Sequence, residues 1–395
     1  MVPEISGVQE SPSTAQCTAV GSGGVIYVTT NGGMTWTTQA SGTRKNLFGV
    51  SFANASDGWA VSGSGQVLKT INGGATWTVT TPVRFGLHAV DFLNATTGWA
   101  VGGGGNSIYT TNGGATWRTV RTGTGALLYG VAFASPSNGW VVGQGGVIYA
   151  TVNGGLSWTP EISGTTNVLY GVAFASTTNG WAVGAGGTIL ATTDGGVIWT
   201  PQVSVTTSNL MSVAVAGSSD AWAAGAAGTM LATTNGGTTW TSQSAAVGTT
   251  NQLNAVAFPS SSNGFTVGAG GFDSETTDGG LTWGATSSKA IFFTFSPTVL
   301  AGAPVTAAVA TITYAATATP SAATTASLEV SPNGGASWAA FAIPVPTTAA
   351  QTVSLNIQSV INSSTAVSGL ELRFSLVNNT VFLKTVHDLV HVDIN

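Results

Sequence analysis

One phrase of eight residues, T-T-[ND]-G-G-x-[TSI]-W, occurs in seven near-copies along the first three-quarters of the chain. Successive copies are 41, 40, 41, 41, 41 and 43 residues apart. Four short apolar runs fall within each interval, and a period near 40 with four strands is typical of one blade of a β-propeller. The chain is therefore predicted to be all-β, with a seven-bladed propeller over residues 1–288.

Each phrase is expected to form a hairpin between two strands. Its Asn or Asp can accept hydrogen bonds from the backbone N–H groups just ahead, and its glycines take positive φ without steric cost. Its tryptophan, like those of a second column that follow Gly or Ala, is expected to pack inside the repeat. The turn residues are Asn31, Asn72, Asn112, Asn153, Asp194, Asn235 and Asp278, the paired tryptophans are Trp36, Trp77, Trp117, Trp158, Trp199, Trp240 and Trp283, and the second column is Trp59, Trp99, Trp140, Trp181 and Trp222.

These phrases carry a resemblance to known families. The turn resembles the Asp-box, or bacterial neuraminidase repeat, of sialidases and many unrelated propellers. The longer phrase N-G-W-A-V-G-x-G-G-T-I-L-x-T-T-D-G-G-x-x-W, at residues 179–199, is similar to the propeller family of photosystem II assembly and stability factors. That likeness implies the propeller fold, and weakly a protein-binding role, because function depends on sites added to a scaffold. Those factors carry an arginine-rich patch, whereas basic residues are scarce here.

A sialidase activity is excluded by the distribution of charge. Sialidases need an arginine cluster, a Tyr–Glu pair and an acidic proton donor. The chain has no Lys or Arg between Thr122 and Ser288, so that site cannot be built. We expect a non-enzymatic protein without a cofactor.

Composition suggests where such a protein works. Only 6% of the residues are charged, against roughly 25% in a typical soluble protein, as in many extracellular or virion surface proteins. No apolar run is long enough to span a membrane, and the net charge of −5 without a basic stripe argues against nucleic-acid binding.

The first hypothesis is a structural or recognition protein of a virion (a phage tail fibre, spike or decoration subunit), located there or on a cell surface, with a surface glycan as a candidate ligand. The alternative is a bacterial cell-surface adhesin, or a protein-binding propeller like the photosystem assembly factors.

Two further groups are candidate interaction or ligand sites. Arg44 and Arg84 occupy the same inter-blade loop in successive repeats, and we expect them to contact another copy or a scaffold in a larger assembly, with scattered solubilising charge as the alternative. Asp273 and Glu275 share one strand face, and with Asp278 they would suit Ca²⁺; the alternative is a loosened edge strand.

Both ends of the chain differ from the propeller repeats and carry predictions of their own. Residues 289–395 contain only longer alternating strands, which predicts a jelly-roll-like β-sandwich. Its apolar residues Phe292, Phe293 and Phe295 are expected at the junction with the propeller. Residues 3–7 repeat residues 160–164, a fourth-strand segment, so we expect the N-terminus to pair with blade seven. His88 is predicted to lie in an inter-blade loop without a role.

Overall fold

The computed structural model describes residues 5–10, 17–30 and 36–284, together with eight strands between residues 289 and 394. The chain divides into two compact units, Met1–Gly284 and Ala285–Asn395. The first unit consists of seven antiparallel blades, which confirms the predicted all-β, seven-bladed propeller. Six blades have four strands in chain order, and blade seven has three within the described residues.

The strands of the propeller are numbered in chain order. Blades one to four are β1 (Ile5–Glu10), β2 (Cys17–Gly21), β3 (Ile26–Thr29) and β4 (Thr37–Gln39); β5 (Leu47–Phe52), β6 (Gly58–Ser62), β7 (Val67–Thr70) and β8 (Thr78–Thr80); β9 (Leu87–Phe92), β10 (Gly98–Gly102), β11 (Asn106–Thr110) and β12 (Arg118–Arg121); and β13 (Leu128–Phe133), β14 (Gly139–Gly143), β15 (Ile148–Thr151) and β16 (Thr159–Glu161). Blades five to seven are β17 (Leu169–Phe174), β18 (Gly180–Gly184), β19 (Ile189–Thr192) and β20 (Thr200–Pro201); β21 (Leu210–Ala216), β22 (Asp220–Gly225), β23 (Met230–Thr233) and β24 (Thr241–Ser242); and β25 (Leu253–Ala257), β26 (Gly264–Gly268) and β27 (Asp273–Thr276).

Helical structure in the described residues is limited to short turns. One α-helix, Ser244–Val247, precedes blade seven, and 3₁₀ turns join the second and third strands of six blades. These turns are Ser22–Gly24, Gly103–Gly105, Gln144–Gly146, Ala185–Gly187, Ala226–Gly228 and Ala269–Gly271. No helix in this part of the chain is long and apolar enough to cross a bilayer.

The first strand of every blade lies next to the central axis, because it contacts the first strands of both neighbouring blades. The ring closes where β1 contacts β25. The N-terminal segment therefore closes the ring, but the predicted pairing with blade seven is wrong, since β1 pairs with β2 of blade one. The reason is its sequence: residues 5–8 (I-S-G-V) match the L-x-G-V pattern that opens the inner strands of blades two, four and five, and they adopt the same register.

The repeated phrase forms the same hairpin in each described copy, as blade two illustrates. Asn72 Oδ1 accepts hydrogen bonds from the Thr76 N–H and the Thr70 hydroxyl, both at 2.9 Å, and the Thr70 hydroxyl oxygen accepts one from the Gly74 N–H at 2.9 Å. Gly73 and Gly74 have φ values of 68° and 92°, which only glycine adopts readily. The set recurs at Asn112, Asn153, Asp194, Asn235 and Asp278, whereas Asn31 lies outside the described residues.

The second tryptophan column holds neighbouring blades together. Trp59 of blade two stacks on Phe92 of blade three, with ring centroids 3.5 Å apart, and donates its indole N–H to the Gly113 carbonyl at 3.2 Å. The equivalent pairs at Trp99, Trp140 and Trp222 have centroid distances of 3.5–3.6 Å and N–H···O distances of 2.8–3.0 Å. Each such interface therefore combines a buried ring stack with a hydrogen bond that satisfies the buried indole.

The second unit contains two four-stranded antiparallel sheets. One sheet has the order β28, β33, β30, β31; in the other, β29 pairs with β32, β34 and β35. These strands are β28 (Lys289–Thr294), β29 (Ala308–Ala316), β30 (Thr325–Ser331), β31 (Ala339–Ile343), β32 (Gln351–Asn356), β33 (Glu371–Val377), β34 (Leu383–Lys384) and β35 (Val390–Ile394). Phe292 and Phe293 lie in β28, and Phe295 lies outside the described residues. That the two sheets pack as a sandwich stays a prediction.

In five blades the glycine at the start of the second strand makes room for a Phe ring of the same blade, so the two positions should be energetically coupled. A Cβ added at Gly139 would overlap the Phe133 ring, whereas blade six combines Ala221 with the smaller Val215. We expect Gly139→Ala to lower the free energy of unfolding by about 1–3 kcal/mol. In a Phe133→Val background the same change should cost close to nothing. Urea denaturation of the four proteins measures the coupling, and equal costs in both backgrounds would contradict it.

Candidate functional site

Every inner strand carries a β-bulge at the same place. The pairing of the first two strands skips one residue in each blade, directly after a Leu or Ile that opens the strand. The skipped residues are Ser6, Phe48, His88, Tyr129, Tyr170, Met211 and Asn254. A bulge takes its extra residue out of the register of the strand ladder and redirects the side chain, and bulges occur often beside binding sites.

Four of these bulge residues form a continuous aromatic arc across blades two to five. The ring centroids of Phe48 and His88 are 5.1 Å apart, those of His88 and Tyr129 5.5 Å, and those of Tyr129 and Tyr170 5.5 Å. All four side chains are half-buried, whereas the leucines that precede them are fully buried. Because the inner strands surround the axis, the arc lies around one mouth of the central channel. We call this set of four residues the aromatic arc.

The remaining described bulge residues extend the ring beyond the arc. Met211 of blade six and Asn254 of blade seven are also half-buried, and Asn254 Oδ1 accepts a hydrogen bond from Gln252 Nε2. Burial lowers the pKa of His88 below its usual range, so its imidazole is neutral at pH 7. The mouth therefore presents aromatic faces, a thioether, a neutral imidazole and an amide, which suits recognition of a partly apolar ligand. His88 lies in β9 rather than in the loop that its sequence context predicts.

Positive charge lies on the same face as the arc. The inner strands begin at the face where the inter-blade loops enter, and the loops before β5 and β9 carry Arg44, Lys45 and Arg84. All three side chains are exposed. The two predicted interface arginines thus flank blades two and three of the arc, where they can attract an anionic group.

The predicted cation site is not assembled. Asp273 is half-buried and Glu275 is 9% exposed in β27, while Asp278 belongs to the following hairpin. Hydrogen bonds from the Thr282 hydroxyl and N–H lower the pKa of Asp278 to about 2, so its carboxylate is engaged in the turn. Within the described residues, no three His, Cys, Asp or Glu side chains come close enough to hold a metal ion.

Comparison with known proteins places the chain in a family. The family model described as photosynthesis system II assembly factor YCF48 matches residues 36–124, 78–150 and 161–245, just over half of the chain. The chain belongs to the YCF48 family. This confirms the resemblance of the repeats to the photosystem II assembly factors. No curated protein matches the sequence.

Solved structures agree on the fold. A structure of YCF48 bound to D1 peptide has a TM-score of 0.60 at 20% identity, over 70% of this chain and 92% of that one. YCF48 from Cyanidioschyzon merolae has a TM-score of 0.58 at 20% identity, over 70% and 95%. A GH74 xyloglucanase from Xanthomonas campestris has a TM-score of 0.58 at 14% identity, over 76% and 57%. At these identities the likeness shows the propeller fold alone.

Family membership corrects the expected location. Placement in a virion or on a cell surface is wrong, because YCF48 proteins are cellular photosystem II assembly factors rather than virion components. The low charge and abundant glycine behind that expectation follow from the repeats, which consist of uncharged turns and buried strands. The comparisons likewise give no support to a glycan ligand or to homo-oligomeric assembly.

One electrostatic feature links blades four and five. Glu161, at the end of β16, accepts a hydrogen bond from Trp199 Nε1 at 2.8 Å, as Gln202 does from Trp240 in the next blade at 2.7 Å. Burial raises the pKa of Glu161 to about 7, the Trp199 bond opposes this rise, and the charge of Asp194 adds to it. The carboxyl group is therefore partly protonated near neutral pH.

Replacing Glu161 by the Gln of the next blade should change how stability depends on pH. Because the pKa of Glu161 is higher in the folded protein, its contribution to stability is complete below its ordinary pKa near 4.5 and is lost as the pH rises through about 7. We expect Glu161→Gln to raise the melting temperature at pH 8 and to leave it nearly unchanged at pH 4. Melting curves across this range test the point, and a constant difference between the proteins would contradict it.

Proposed function

We propose that this chain is a non-catalytic propeller that binds a segment of a partner protein at the mouth of its central channel. The observation that carries the proposal is the aromatic arc, placed by aligned bulges in successive blades. Large aromatic side chains contribute much of the binding energy in protein interfaces, and a bulge fixes them in position before the partner arrives.

Family membership supports a protein as the partner. The chain belongs to a family of assembly factors, and one solved YCF48 structure is described as bound to D1 peptide. A similar role here is a peptide-binding one, with Tyr129 and Tyr170 contacting apolar side chains. Arg44, Lys45 and Arg84 would attract an acidic side chain or a terminal carboxylate. Because these three bases lie in the loops that lead into the inner strands of blades two and three, the partner's anionic group is expected to lie over those blades.

A catalytic role has less support. The arc provides one imidazole, His88, which stacks on Phe48 and contacts the Tyr129 ring edge to face. Acid–base and nucleophilic mechanisms require a second group within hydrogen-bond reach of the first. The xyloglucanase likeness concerns the fold alone, so it does not extend to glycoside chemistry.

We also propose that the C-terminal part is a separate domain. Residues 289–395 would form the β-sandwich, with Phe292, Phe293 and Phe295 at an interface and residues 1–288 as the propeller domain. The support is the pairing of the strands into two four-stranded sheets and the division of the chain after Gly284.

Removing aromatic rings from the arc should weaken segment binding. We would select displayed random peptides on the wild-type protein, add the D1 peptide as a first defined probe, and measure affinities by fluorescence anisotropy. In the double variant Tyr129→Ala/Tyr170→Ala we expect the affinity for the selected peptides to fall at least about tenfold, since each ring is expected to contribute 1 kcal/mol or more. Arg84→Ala should weaken binding mainly at low salt, because exposed charge acts over a screened distance.

The matched control is Arg118→Ala, which removes an exposed base from the outer strand β12. Its affinity for the same peptides should equal that of the wild type. Selected peptides that bind the double variant and the wild type equally would contradict a site at the channel mouth. Selection of glycans but no peptides from mixed libraries would contradict a protein partner.

A further inference from the structure

Blade six departs from the other blades at three positions around the interface with blade five. Val215 stands where five blades have Phe, and Ala221 stands where they have Gly. Gly217, with φ of 73°, replaces the turn residue, Asn or Ser, whose side chain accepts backbone N–H bonds in blades such as two and four. Among the described ring contacts, none involves Trp181 of blade five, which lacks the Phe partner of its counterparts.

At the same interface, the indole N–H of Trp181 has no acceptor in the described part of the protein. The side chain is 2% exposed, so the donor is buried. In four other blades the equivalent N–H donates to a main-chain carbonyl at 2.8–3.2 Å. A buried donor without an acceptor costs free energy, which an acceptor from a ligand would recover.

A cavity of about 320 Å³ lies between blades five and six, and Trp181 is one of the residues that line it. Its lining includes Trp181, Asp194, Ile198, Gln202, Ser218 and Gly236. These residues belong mainly to the repeated hairpins and to the turns between first and second strands, so the cavity opens on the face opposite the aromatic arc. Its volume is at the lower end of the range for ligand pockets, which suits one side chain rather than a large ligand.

The lining of the cavity also includes the hydrogen-bond acceptor Asp194, whose partners differ from those of the other hairpins. Asp194 Oδ1 accepts hydrogen bonds from the Thr192 hydroxyl and the Ile198 N–H, and these bonds lower its pKa, so it is a carboxylate at neutral pH. In the other described hairpins a hydroxyl four residues later bonds to the second polar atom of the Asn or Asp, as Thr282 does for Asp278. Ile198 has no hydroxyl, so this carboxylate lacks that partner.

Other tryptophans without an indole acceptor do not line this cavity. They are Trp36, Trp77, Trp117 and Trp283, all of the hairpin column. Trp181 is therefore distinguished by an unpartnered donor in a residue that lines the same cavity as a carboxylate.

We propose that the cavity between blades five and six binds a primary carboxamide, presented by an Asn or Gln side chain of a partner protein. The carboxamide oxygen accepts the Trp181 indole N–H, in the role that a glycine carbonyl has in the other blades. The carboxamide NH₂ donates to Asp194, in the role of the missing hydroxyl. A carboxamide is the side-chain group that supplies one acceptor and two donors without charge.

Competing ligand chemistries fit less well. An anion would approach Asp194 and Glu161 in a sector without any Lys or Arg from Thr122 to Ser288. An ammonium or guanidinium group has no acceptor for the Trp181 N–H. A sugar would gain little stacking, because the indole is 2% exposed. Val197 and Ile198, which are 79% and 63% exposed beside the cavity, provide apolar area for the rest of a protein partner.

The indole N–H signals of ¹⁵N-labelled full-length protein test this proposal directly. Trp181→Phe and Trp140→Phe identify the two signals that matter. Titration with propionamide should shift the Trp181 signal and leave the Trp140 signal in place, because Trp140 already donates to Gly195. Propionate, propylammonium and methyl glucoside should produce no comparable shift.

A surface variant keeps the test decisive if Trp181→Phe does not fold. Ile198→Thr restores the hydroxyl of the other hairpins and should weaken propionamide binding by about fivefold, equivalent to one hydrogen bond. The reverse change, Thr282→Ile in blade seven, should create no propionamide site. The proposal is overturned if propionamide leaves the Trp181 signal unmoved, if propionate or the glucoside shifts it as much, or if Ile198→Thr has no effect. Tyr129→Ala should not alter the result, which separates this site from the channel mouth.

Discussion

The hydrogen bond from a column tryptophan to the glycine carbonyl of the next blade is the contact that recurs between blades of this propeller, and it forms at four of the described interfaces. It joins residues 54–57 positions apart in sequence, and the glycine that accepts it has a positive φ in each hairpin. The Phe ring that stacks on the same indole fixes the distance between blades. Neighbouring blades are therefore held together by complementary packing of these side chains at their interfaces.

The same packing requirement explains which positions vary in sequence between blades. Residues in the tryptophan, phenylalanine and glycine columns are nearly uniform, whereas the bulge position of the inner strand varies among aromatic, thioether and amide side chains. The paired residues of the first two strands fix the bulge position on either side, and its side chain does not enter the core between blades. Its identity can therefore vary to suit a binding partner. In blade six, residues of the packing columns themselves differ from those of the other blades, and a cavity lies beside them.

The sequence predicted the architecture well because period and turn chemistry are local. The blade number, the hairpins and the packing of the tryptophans all follow from residues within one repeat. The aromatic arc was missed because Phe48, His88, Tyr129 and Tyr170 are 40–41 residues apart, although the second position of the aligned L-x-G-V pattern contains the signal. The N-terminal strand was misplaced for the opposite reason, since a short match to residues 160–164 outweighed this longer-range pattern. The expected location failed because composition reflects the repeat rather than the cell compartment.

The central proposal is that a partner binds at the mouth formed by the bulge residues. Site-specific photocrosslinking from p-benzoylphenylalanine at position 129 tests it most directly, with position 118 on the outer strand β12 as the comparison. We expect a crosslink from position 129 to a selected peptide, competed by the unlabelled peptide, and none from position 118. Crosslinking from position 118 without any from position 129 would contradict it.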